Sequence, residues 1–558
     1  MINRLNFKVL AISILFFVSA FSIEAQNLET KLDRIIQKNY QPEKPGAAAL
    51  VTKDGEVIYR KAFGEANLEL DVSMKPEMVF EIGSMTKQFT AVAILMLEEQ
   101  GEISLQDDIT KYIENYPTHG HEITIYHLLT HTSGIKSYTS MKEWQDKWRK
   151  DFKPKEMIDL FKNEPMNFAP GEKFSYNNSA FFMLGYIIKK VSGMPYPEFL
   201  EKKIFQPLGM DNSYYGSHRK IIKNRADGYQ KKSGDFVNEE FLSLTQPGAA
   251  GSIMSTVDDM WKWQQAIKNN RLIKRETLEK AFTEYTLNNG EPINYGYGWF
   301  LKEINGSPTI EHGGGIFGYT SNGIYLPKEE VYVVMLTNRD DISPQKTSTK
   351  LAAEVIGKPY PDKEDAIEVK NSFLESLTGV YEFKDGKTRY ITHKDGQLHS
   401  QLKGSKKIAL FPVSKSRFHF EDSFSRYEFT KEKEGTVKVV FHNRAGNTKG
   451  QKSDKPLPKK KKEINVKPEI LKDYVGVYEL QPGFNITITY NKGQLISQAT
   501  GQPEVKIYPE SKKRFFLKKV DAEIEFLRNN KGEVSSLMLY QAGRELKGKK
   551  TSEGNSSY

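Results

Sequence analysis

A strongly apolar segment between Glu81 and Gly101 dominates the hydrophobic pattern of the chain. Apolar residues occupy nearly every position from Phe89 to Leu97, so the segment has no polar face. A helix that is apolar all round is buried in a protein core, and a glycine commonly follows a helix end. The pattern therefore predicts a buried helix that ends at Gly101.

Strand-like runs occur both before and well after this helix. They are Ala47–Lys53, Glu56–Phe63, Thr309–His312, Thr320–Tyr325 and Val331–Thr337. The first two flank Asp54-Gly55, which is typical of hairpin turns, and the last two flank a turn at Pro327–Glu330. An amphipathic helix is predicted over Leu28–Asn39. We therefore expect one antiparallel sheet that joins both ends of this region and is flanked by helices.

Ser84 and Lys87 lie three residues apart at the start of the apolar helix, so their side chains share one face. Lys87 is expected at the rim of a core, where the loss of water disfavours the ammonium form and produces a base for a serine proton. The free N–H groups of a first helical turn also favour negative charge near Ser84. The pattern itself is short. It also occurs at Ser133, Ser217, Ser343 and Ser400, so on spacing alone the pair has no assured role.

Tyr176 and Asn178 lie in a polar loop that precedes an apolar helix ending near Gly193. A loop at a helix start is a suitable place for site residues. The structural alternative is that Asn178 caps the helix.

His312 is followed by three glycines, Gly313, Gly314 and Gly315, at the end of a predicted strand. Successive glycines allow the backbone to approach a ligand closely. The alternative interpretation is a flexible turn.

The C-terminal third of the chain is a duplication. Leu374–Glu382 matches Leu471–Glu479, and paired glycines, prolines and phenylalanines recur at a constant offset of 97 positions. Each copy alternates short strands with turn residues, which predicts a small antiparallel barrel. A basic segment at 451–468 separates the copies and is expected to be a solvated linker, with contact to the cell envelope as the alternative.

The first 25 residues have the layout of a secretory signal peptide, with Arg4 and Lys8 ahead of the apolar run Val9–Phe21. The run is short for a bilayer span, and no other segment is apolar enough, so we expect a periplasmic or secreted protein without integral membrane contact. The predicted organisation is a signal peptide at 1–25, a catalytic domain at 26–358, a linker at 359–371, repeats at 372–450 and 469–550, and the basic linker between them.

Composition narrows the function classes. The chain has 558 residues, enough for several domains, and 38% hydrophobic residues, enough for packed cores. Its net charge of +10 suits anionic envelope polymers, although the charges are interspersed as on an ordinary surface, and no nucleic-acid motif is present. The absence of cysteine excludes disulfides and thiolate metal sites. His127 and His131 could share a metal, but a third ligand is missing, so no metal is predicted.

Three motifs follow one another along the chain: Ser84-Met85-Thr86-Lys87, Tyr176-Asn177-Asn178 and His312-Gly313-Gly314. Their order and spacing resemble the serine beta-lactamase, penicillin-binding protein and D-aminopeptidase superfamily, particularly its class C-like branch, over Leu28–Gly357. Supporting stretches are His127–Gly134, Pro207–Met210 and Gly251–Asp259. The resemblance implies an α/β (α+β) catalytic domain with an antiparallel sheet, flanking helices and a helical subdomain. The repeats resemble the lipocalin-like barrels of some D-aminopeptidases.

The resemblance also implies roles. Ser84 would be the acylated nucleophile and Lys87 its activating partner. Tyr176 would act first as general base and then as acid. Asn178 would hold Lys87 or the substrate amide. No metal or organic cofactor is implied.

In the same resemblance, the backbone N–H groups of Ser84 and Gly315 would form the oxyanion hole, and Gly313 and Gly314 would line the substrate strand. His312 stands where the family usually has the lysine of a lysine-threonine-glycine triplet. A histidine gives a weaker and pH-dependent positive field, which argues against efficient penicillin hydrolysis.

The sequence thus predicts an exported serine hydrolase that cleaves an amide or ester bond through an acyl-enzyme on Ser84. The expected substrate is a small D-amino-acid peptide, including peptidoglycan-derived ones, or a small ester. The alternatives are a beta-lactamase and an acyl-binding sensor without turnover; the presence of Tyr176 argues against the sensor, since deacylation needs a base. The barrels would cover the active-site mouth, filter substrates, mediate self-association or serve as scaffold.

Overall fold

The computed structural model describes residues 26–552, apart from 422, 433–435, 459–460, 482–483, 519 and 542–543. The signal peptide predicted at 1–25 lies outside the described residues. The chain divides into two units, one ending at Tyr360 and the other beginning at Pro361. Within the described ranges, no helix combines the length and the apolar character needed to cross a membrane.

A six-stranded antiparallel sheet forms the centre of the first unit. Its strands are β1 Ala47–Lys53, β2 Glu56–Phe63, β3 Phe300–Ile304, β4 Ser307–Ile316, β5 Tyr319–Leu326 and β6 Val331–Thr337. Their order across the sheet is β3-β4-β5-β6-β1-β2. Ala47 pairs with Thr337 and Lys53 with Val331, so the first and last strands lie side by side. This confirms the expectation that one sheet joins both ends of the region.

Successive side chains of β1 enter two different cores, as the period of a strand requires. The flanking helices are α1 at 26–37, α2 Thr86–Glu99, α3 Asn178–Ser192, α4 Val257–Lys268 and α5 Gln345–Val355. Ala47, Ala49 and Val51 pack with residues of α1 and α5. Ala48 and Leu50 belong to the core that contains residues of α2, α3 and α4. The sheet is therefore covered on both faces.

The helix α2 is buried on all sides, as predicted. Every residue from Thr86 to Leu95 is buried, and Gly101 follows the helix with a φ of +74°. The hairpin between β1 and β2 also turns where expected, at Asp54 and Gly55, which both have positive φ.

Shorter elements complete the first unit. The helices are Ile125–Leu129, Lys142–Gln145, Pro154–Phe161, Tyr196–Leu200, Gln206–Leu208 and Arg275–Ala281, together with single turns at Gly83–Met85, Ile109–Lys111, Tyr138–Ser140, Glu201–Phe205 and Gly248–Ala250. The short strands are Glu65–Asn67, Val72–Ser73, Phe80–Glu81, Tyr214–Tyr215, Tyr229–Lys232, Asp235–Asn238, Ile253–Ser255, Tyr285–Thr286 and Pro292–Ile293. Most of the helices lie between β2 and β3 in the sequence.

The second unit contains two closed antiparallel barrels of eight strands each. The first has Gly379–Phe383, Thr388–Lys394, Gln397–Leu402, Lys407–Pro412, Arg417–Phe420, Arg426–Lys431, Val437–Asn443 and Gly446–Ser453. The second has Gly476–Gln481, Phe484–Asn491, Gln494–Ala499, Val505–Pro509, Arg514–Leu517, Ala522–Arg528, Val534–Gln541 and Arg544–Ser552. A turn at Lys363–Asp365 and helices Asn371–Ser376 and Pro468–Lys472 precede the barrels. Each barrel has its own apolar core, so the duplicated sequence folds as two copies of one barrel.

Candidate active site

Ser84 lies in the single turn Gly83–Met85, which leads directly into α2. Gly83 has a φ of +50°, and a Cβ atom at this position would lie 2.8 Å from the backbone nitrogen of Gly315 on β4. Glycine is required there on both counts. The turn leaves Ser84 half-buried, next to the strand that carries the glycine run.

Lys87 is fully buried and has three polar neighbours. Its Nζ atom lies 2.8 Å from Asn178 Oδ1, 2.8 Å from the Ala250 carbonyl oxygen and 3.1 Å from Ser84 Oγ. No carboxylate lies within ion-pair distance of it among the described residues. Burial therefore lowers the pKa of the Lys87 side chain well below its usual range.

This arrangement orients a neutral Lys87 amine. A neutral amine has two N–H donors and one lone pair. The oxygens of Asn178 and Ala250 can only accept, so they take the two N–H groups. The lone pair is left for the third neighbour, the hydroxyl of Ser84, which can donate. Lys87 is thus placed to receive the Ser84 proton.

Asn178 holds Lys87 and does not cap the helix. The cap of α3 is Asn177, whose side chain accepts from the backbone N–H of Ala180 at 3.0 Å. The alternative that Asn178 is the cap is therefore wrong by one residue. Because Asn177 satisfies the helix end, Asn178 is available to accept from Lys87 and to donate to Thr139 Oγ1 at 3.3 Å.

Tyr176 covers the same amine. Its ring centroid lies 4.8 Å from Lys87 Nζ, and its hydroxyl is buried without a hydrogen-bond partner among the described residues. Burial raises the pKa of the Tyr176 hydroxyl, and the nearby Ser84 side chain only partly offsets this. At neutral pH the phenol is therefore protonated.

The glycine run continues the strand. β4 extends to Ile316, so the interpretation of Gly313–Gly315 as a flexible turn is wrong. Pairing with β3 stops at Glu311, while pairing with β5 continues, which leaves one edge of β4 open beside Ser84. A Cβ atom on Gly314 would lie 2.0 Å from the Ile82 carbonyl oxygen, whereas one on Gly315 would meet nothing within 4 Å. The sheet register, which is set by distant residues, decides between strand and turn.

His312 lies next to Tyr176, with ring centroids 6.0 Å apart, and both of its nitrogens have partners. Its Nδ1 atom is 2.6 Å from the Gly313 carbonyl oxygen, so it donates there, and its Nε2 atom accepts from the Tyr295 hydroxyl at 3.4 Å. Burial lowers the pKa of His312 to about 3. His312 is thus neutral at physiological pH.

His131 and Tyr295 extend this chain of hydrogen bonds. The Asn177 backbone N–H donates to His131 Nδ1 at 3.0 Å, so the neutral ring carries its proton on Nε2 and donates to the Tyr295 hydroxyl at 3.1 Å. Burial lowers the pKa of His131 well below its usual range. The chain fixes the tautomer of both histidines.

His131 and Tyr295 are site residues that the sequence reasoning missed. The spacing of His131 from His127 suggests a shared metal, but the His127 ring instead bonds within the Thr124 cap. The signal that identifies His131 is its place in the stretch His127–Gly134, which supported the family resemblance. Nothing in the local sequence marks Tyr295.

A cavity of about 380 Å³ borders this group of residues. Tyr176, Phe300, His312 and the glycines Gly313 and Gly314 are among its lining residues. After the glycine run, Phe317 packs edge-on against Trp148, with ring centroids 5.1 Å apart. The site thus combines a polar centre with aromatic surroundings.

The first unit is similar to a known family of proteins. A protein-family model described as Beta-lactamase matches residues 32–356, and one described as Domain of unknown function (DUF3471) matches residues 460–551. A penicillin-binding protein of Bacillus subtilis (strain 168) is 28% identical over 433 residues, which cover 73% of this chain and 94% of the relative.

Two further relatives are informative. A D-aminopeptidase of Gluconobacter oxydans (strain 621H) is 26% identical over 344 residues, covering 60% of this chain and 64% of that protein. The structure of an octameric penicillin-binding protein homologue from Pyrococcus abyssi aligns with a TM-score of 0.54 and 27% identity, over 76% of this chain and 99% of the other. Each of the three alignments covers more residues than the segment 26–355, which contains the sheet and its flanking helices.

Proposed function

The chain belongs to the beta-lactamase family, and on that premise we propose that it is an exported serine hydrolase that forms an acyl-enzyme on Ser84. The observation that carries the proposal is the orientation of Lys87. Its amine is buried, has no acidic partner among the described residues, and has two acceptors that leave the lone pair for Ser84. A lysine held in this state is a general base at neutral pH.

The reaction follows from these positions. Ser84 Oγ attacks the carbonyl carbon of the substrate while its proton passes to Lys87 Nζ. The backbone N–H groups of Ser84 and Gly315 would bind the resulting oxyanion. The protonated phenol of Tyr176 then gives its proton to the leaving amine or alcohol, the bond to the leaving group breaks, and the acyl-enzyme remains.

Water then releases the product. It attacks the ester carbonyl of acylated Ser84 and gives one proton to the Tyr176 phenolate, the bond to Oγ breaks, and Ser84 Oγ takes back the proton held on Lys87 Nζ. We assign Tyr176 first to the acid role, because burial raises the pKa of its hydroxyl. The family resemblance suggested the opposite order, with Tyr176 first as a base. Asn178 keeps the Lys87 amine in place through both steps.

We propose a D-amino-acid amide or short D-peptide as the substrate, with a small ester as the second choice. The D-aminopeptidase relative supports the first, and Phe300 in the lining of the cavity would suit an apolar side chain. A penicillin fits the site less well, since its carboxylate would meet a neutral His312. Peptidoglycan-derived peptides carry the required stereochemistry.

Intact mass measured soon after mixing with p-nitrophenyl acetate tests the proposal, together with product release. We expect a transient adduct of one acetyl group on the wild type and on Ser217→Ala, which removes another serine three residues before a lysine. Ser84→Ala should form no adduct and should lower turnover at least about a thousandfold. An adduct that survives Ser84→Ala would refute the nucleophile, and a permanent adduct on the wild type would favour the sensor.

The same preparation addresses the substrate and export. Hydrolysis of D-alanine p-nitroanilide should exceed that of the L-isomer and of a chromogenic cephalosporin. Preference for the cephalosporin would reverse the substrate assignment. A mature chain that begins at Gln26, read from the intact mass after expression with the leader, would support export.

A further inference from the structure

The first barrel contains a buried arginine without an acidic partner. Arg389 lies on the strand Thr388–Lys394 and is 9% exposed. Its Nη1 atom donates to the Tyr427 hydroxyl at 3.3 Å, while its buried Nε has no acceptor among the described residues. No carboxylate there lies within ion-pair distance of it. The guanidinium instead lies 3.8 Å from the ring centroid of Phe441. The Nε–H donor of the buried Arg389 guanidinium therefore makes no hydrogen bond within the described residues.

The second barrel shows that the fold does not require this arginine. At the constant offset of 97 positions, Ile486 replaces Arg389 and Ile524 replaces Tyr427. Both isoleucines are buried in the core of the second barrel. Burial of an unpaired charge costs stability, and an isoleucine avoids that cost. Formation of the barrel therefore does not account for the presence of Arg389.

Arg389 borders a cavity of about 850 Å³ within the second unit. Its described lining contains three cationic side chains, those of Arg389, Lys406 and Arg544, and no aspartate or glutamate. The remaining surface is mostly apolar or hydroxylic. The apolar lining residues are Leu402, Ile408, Phe420, Phe441, Phe484, Val520, Leu539 and Leu546. The volume lies within the range of about 300–1,000 Å³ that small-molecule sites occupy.

We propose that this cavity binds a small amphiphilic carboxylate, with its head on Arg389 and its acyl or aryl body against the apolar lining. A guanidinium presents a planar fork that matches the two oxygens of a carboxylate. Tyr427 fixes the Nη1 side of that fork and is itself held by Ser400, with 2.9 Å between the hydroxyl oxygens. The unpaired Nε is itself buried, so the Nη2 end of the fork beside it is the donor left for the ligand. This site is independent of the chemistry proposed at Ser84.

Titration calorimetry of the full chain with octanoate tests the proposal. The comparison ligands are 1-octanol, which lacks the charge, and octyl phosphate, which has a different anionic head. We expect one octanoate site, with octanol and octyl phosphate each at least tenfold weaker. Equal binding of octanol would overturn the role of the charge, and tighter binding of octyl phosphate would overturn the carboxylate assignment.

Variants locate the binding. Arg389→Ile introduces the residue of the second barrel and should weaken octanoate at least tenfold, while the unfolding temperature without ligand stays equal or rises. Arg389→Lys keeps the charge but loses the fork, so it should also weaken binding, and it decides the matter if the isoleucine variant fails to fold. Arg417→Gln removes an exposed arginine of the same barrel and should bind as the wild type does. Unchanged binding in either Arg389 variant would overturn the proposal.

Discussion

The fold selects the neutral form of His312, and this makes the stability of the first unit depend on pH. Both ring nitrogens have neutral partners, and the side chain is 2% exposed. In the unfolded chain a histidine has an ordinary pKa of about 6.5, whereas in the fold the pKa of His312 is about 3. Between these values the unfolded state binds more protons, so stability falls as the pH falls.

The magnitude follows from the width of that window. Each pH unit between the two pKa values changes the free energy of unfolding by about 1.36 kcal/mol. From pH 6.5 to pH 4.5 the contribution of His312 is therefore about 2.7 kcal/mol, lost on acidification. Above pH 6.5 its contribution is constant.

The variant His312→Gln isolates the effect. It cannot take up the proton, so its free energy of unfolding should fall less on acidification than that of the wild type. Urea unfolding followed by tryptophan fluorescence is suitable, because all five tryptophans lie in the first unit. His121→Gln removes an exposed histidine of the same unit and serves as the control.

We expect the wild type to lose about 2.7 kcal/mol relative to His312→Gln between pH 7.5 and pH 4.5. The His121→Gln variant should stay parallel to the wild type. A difference between wild type and His312→Gln that is the same at both pH values would refute the reasoning, because His312 would then titrate normally in the fold.

Three further predictions concern the candidate active site. Tyr176→Phe should lower the rate of hydrolysis of an anilide at least about a hundredfold, but it should change the acylation burst with a p-nitrophenyl ester much less. The reason is that only the anilide needs its leaving group protonated. Equal losses with both substrates would contradict the acid role of Tyr176. Asn178→Asp places a carboxylate beside Lys87, so the acid limb of the pH profile of kcat/KM should move to higher pH, and an unmoved limb would separate Lys87 from that limb. Gly314→Ala should abolish folding or activity because no space exists for its methyl group, whereas Gly315→Ala should fold normally by circular dichroism; the reverse order would contradict the strand geometry.

Local patterns predicted most of what positions Ser84, the proposed nucleophile. The spacing of Ser84 and Lys87, the apolar run behind them and the glycine that ends α2 are all short-range signals, and each is confirmed in the structure. The hairpin at Asp54 could also be predicted, because its signal is the adjacent pair Asp54-Gly55. The duplicated barrels could be predicted because the sequence repeats itself at a constant offset.

Features that depend on contacts between residues far apart in the sequence could not be predicted from local patterns. Two adjacent asparagines cannot be told apart from the local sequence. Only the tertiary structure shows that Asn177 caps the helix and that Asn178 binds Lys87. The bond between His131 and Tyr295 joins residues 164 positions apart. The strand at Gly313 exists because β5 pairs with it, which a reading of its own glycines does not reveal.

The pairing of β1 with β6, the first and last strands of the sheet in sequence, has a consequence for folding kinetics. The backbone N–H of Gly46 donates to the side chain of Asn338, 292 residues further along the chain. Contacts of such separation require closure of a long loop, and they slow folding. Ser84 is synthesised early, but the strand that abuts its turn emerges more than two hundred residues later. A growing chain therefore carries the proposed nucleophile long before its site is complete, and we expect Ser84 to remain inert until the last strand of the sheet has been made and paired.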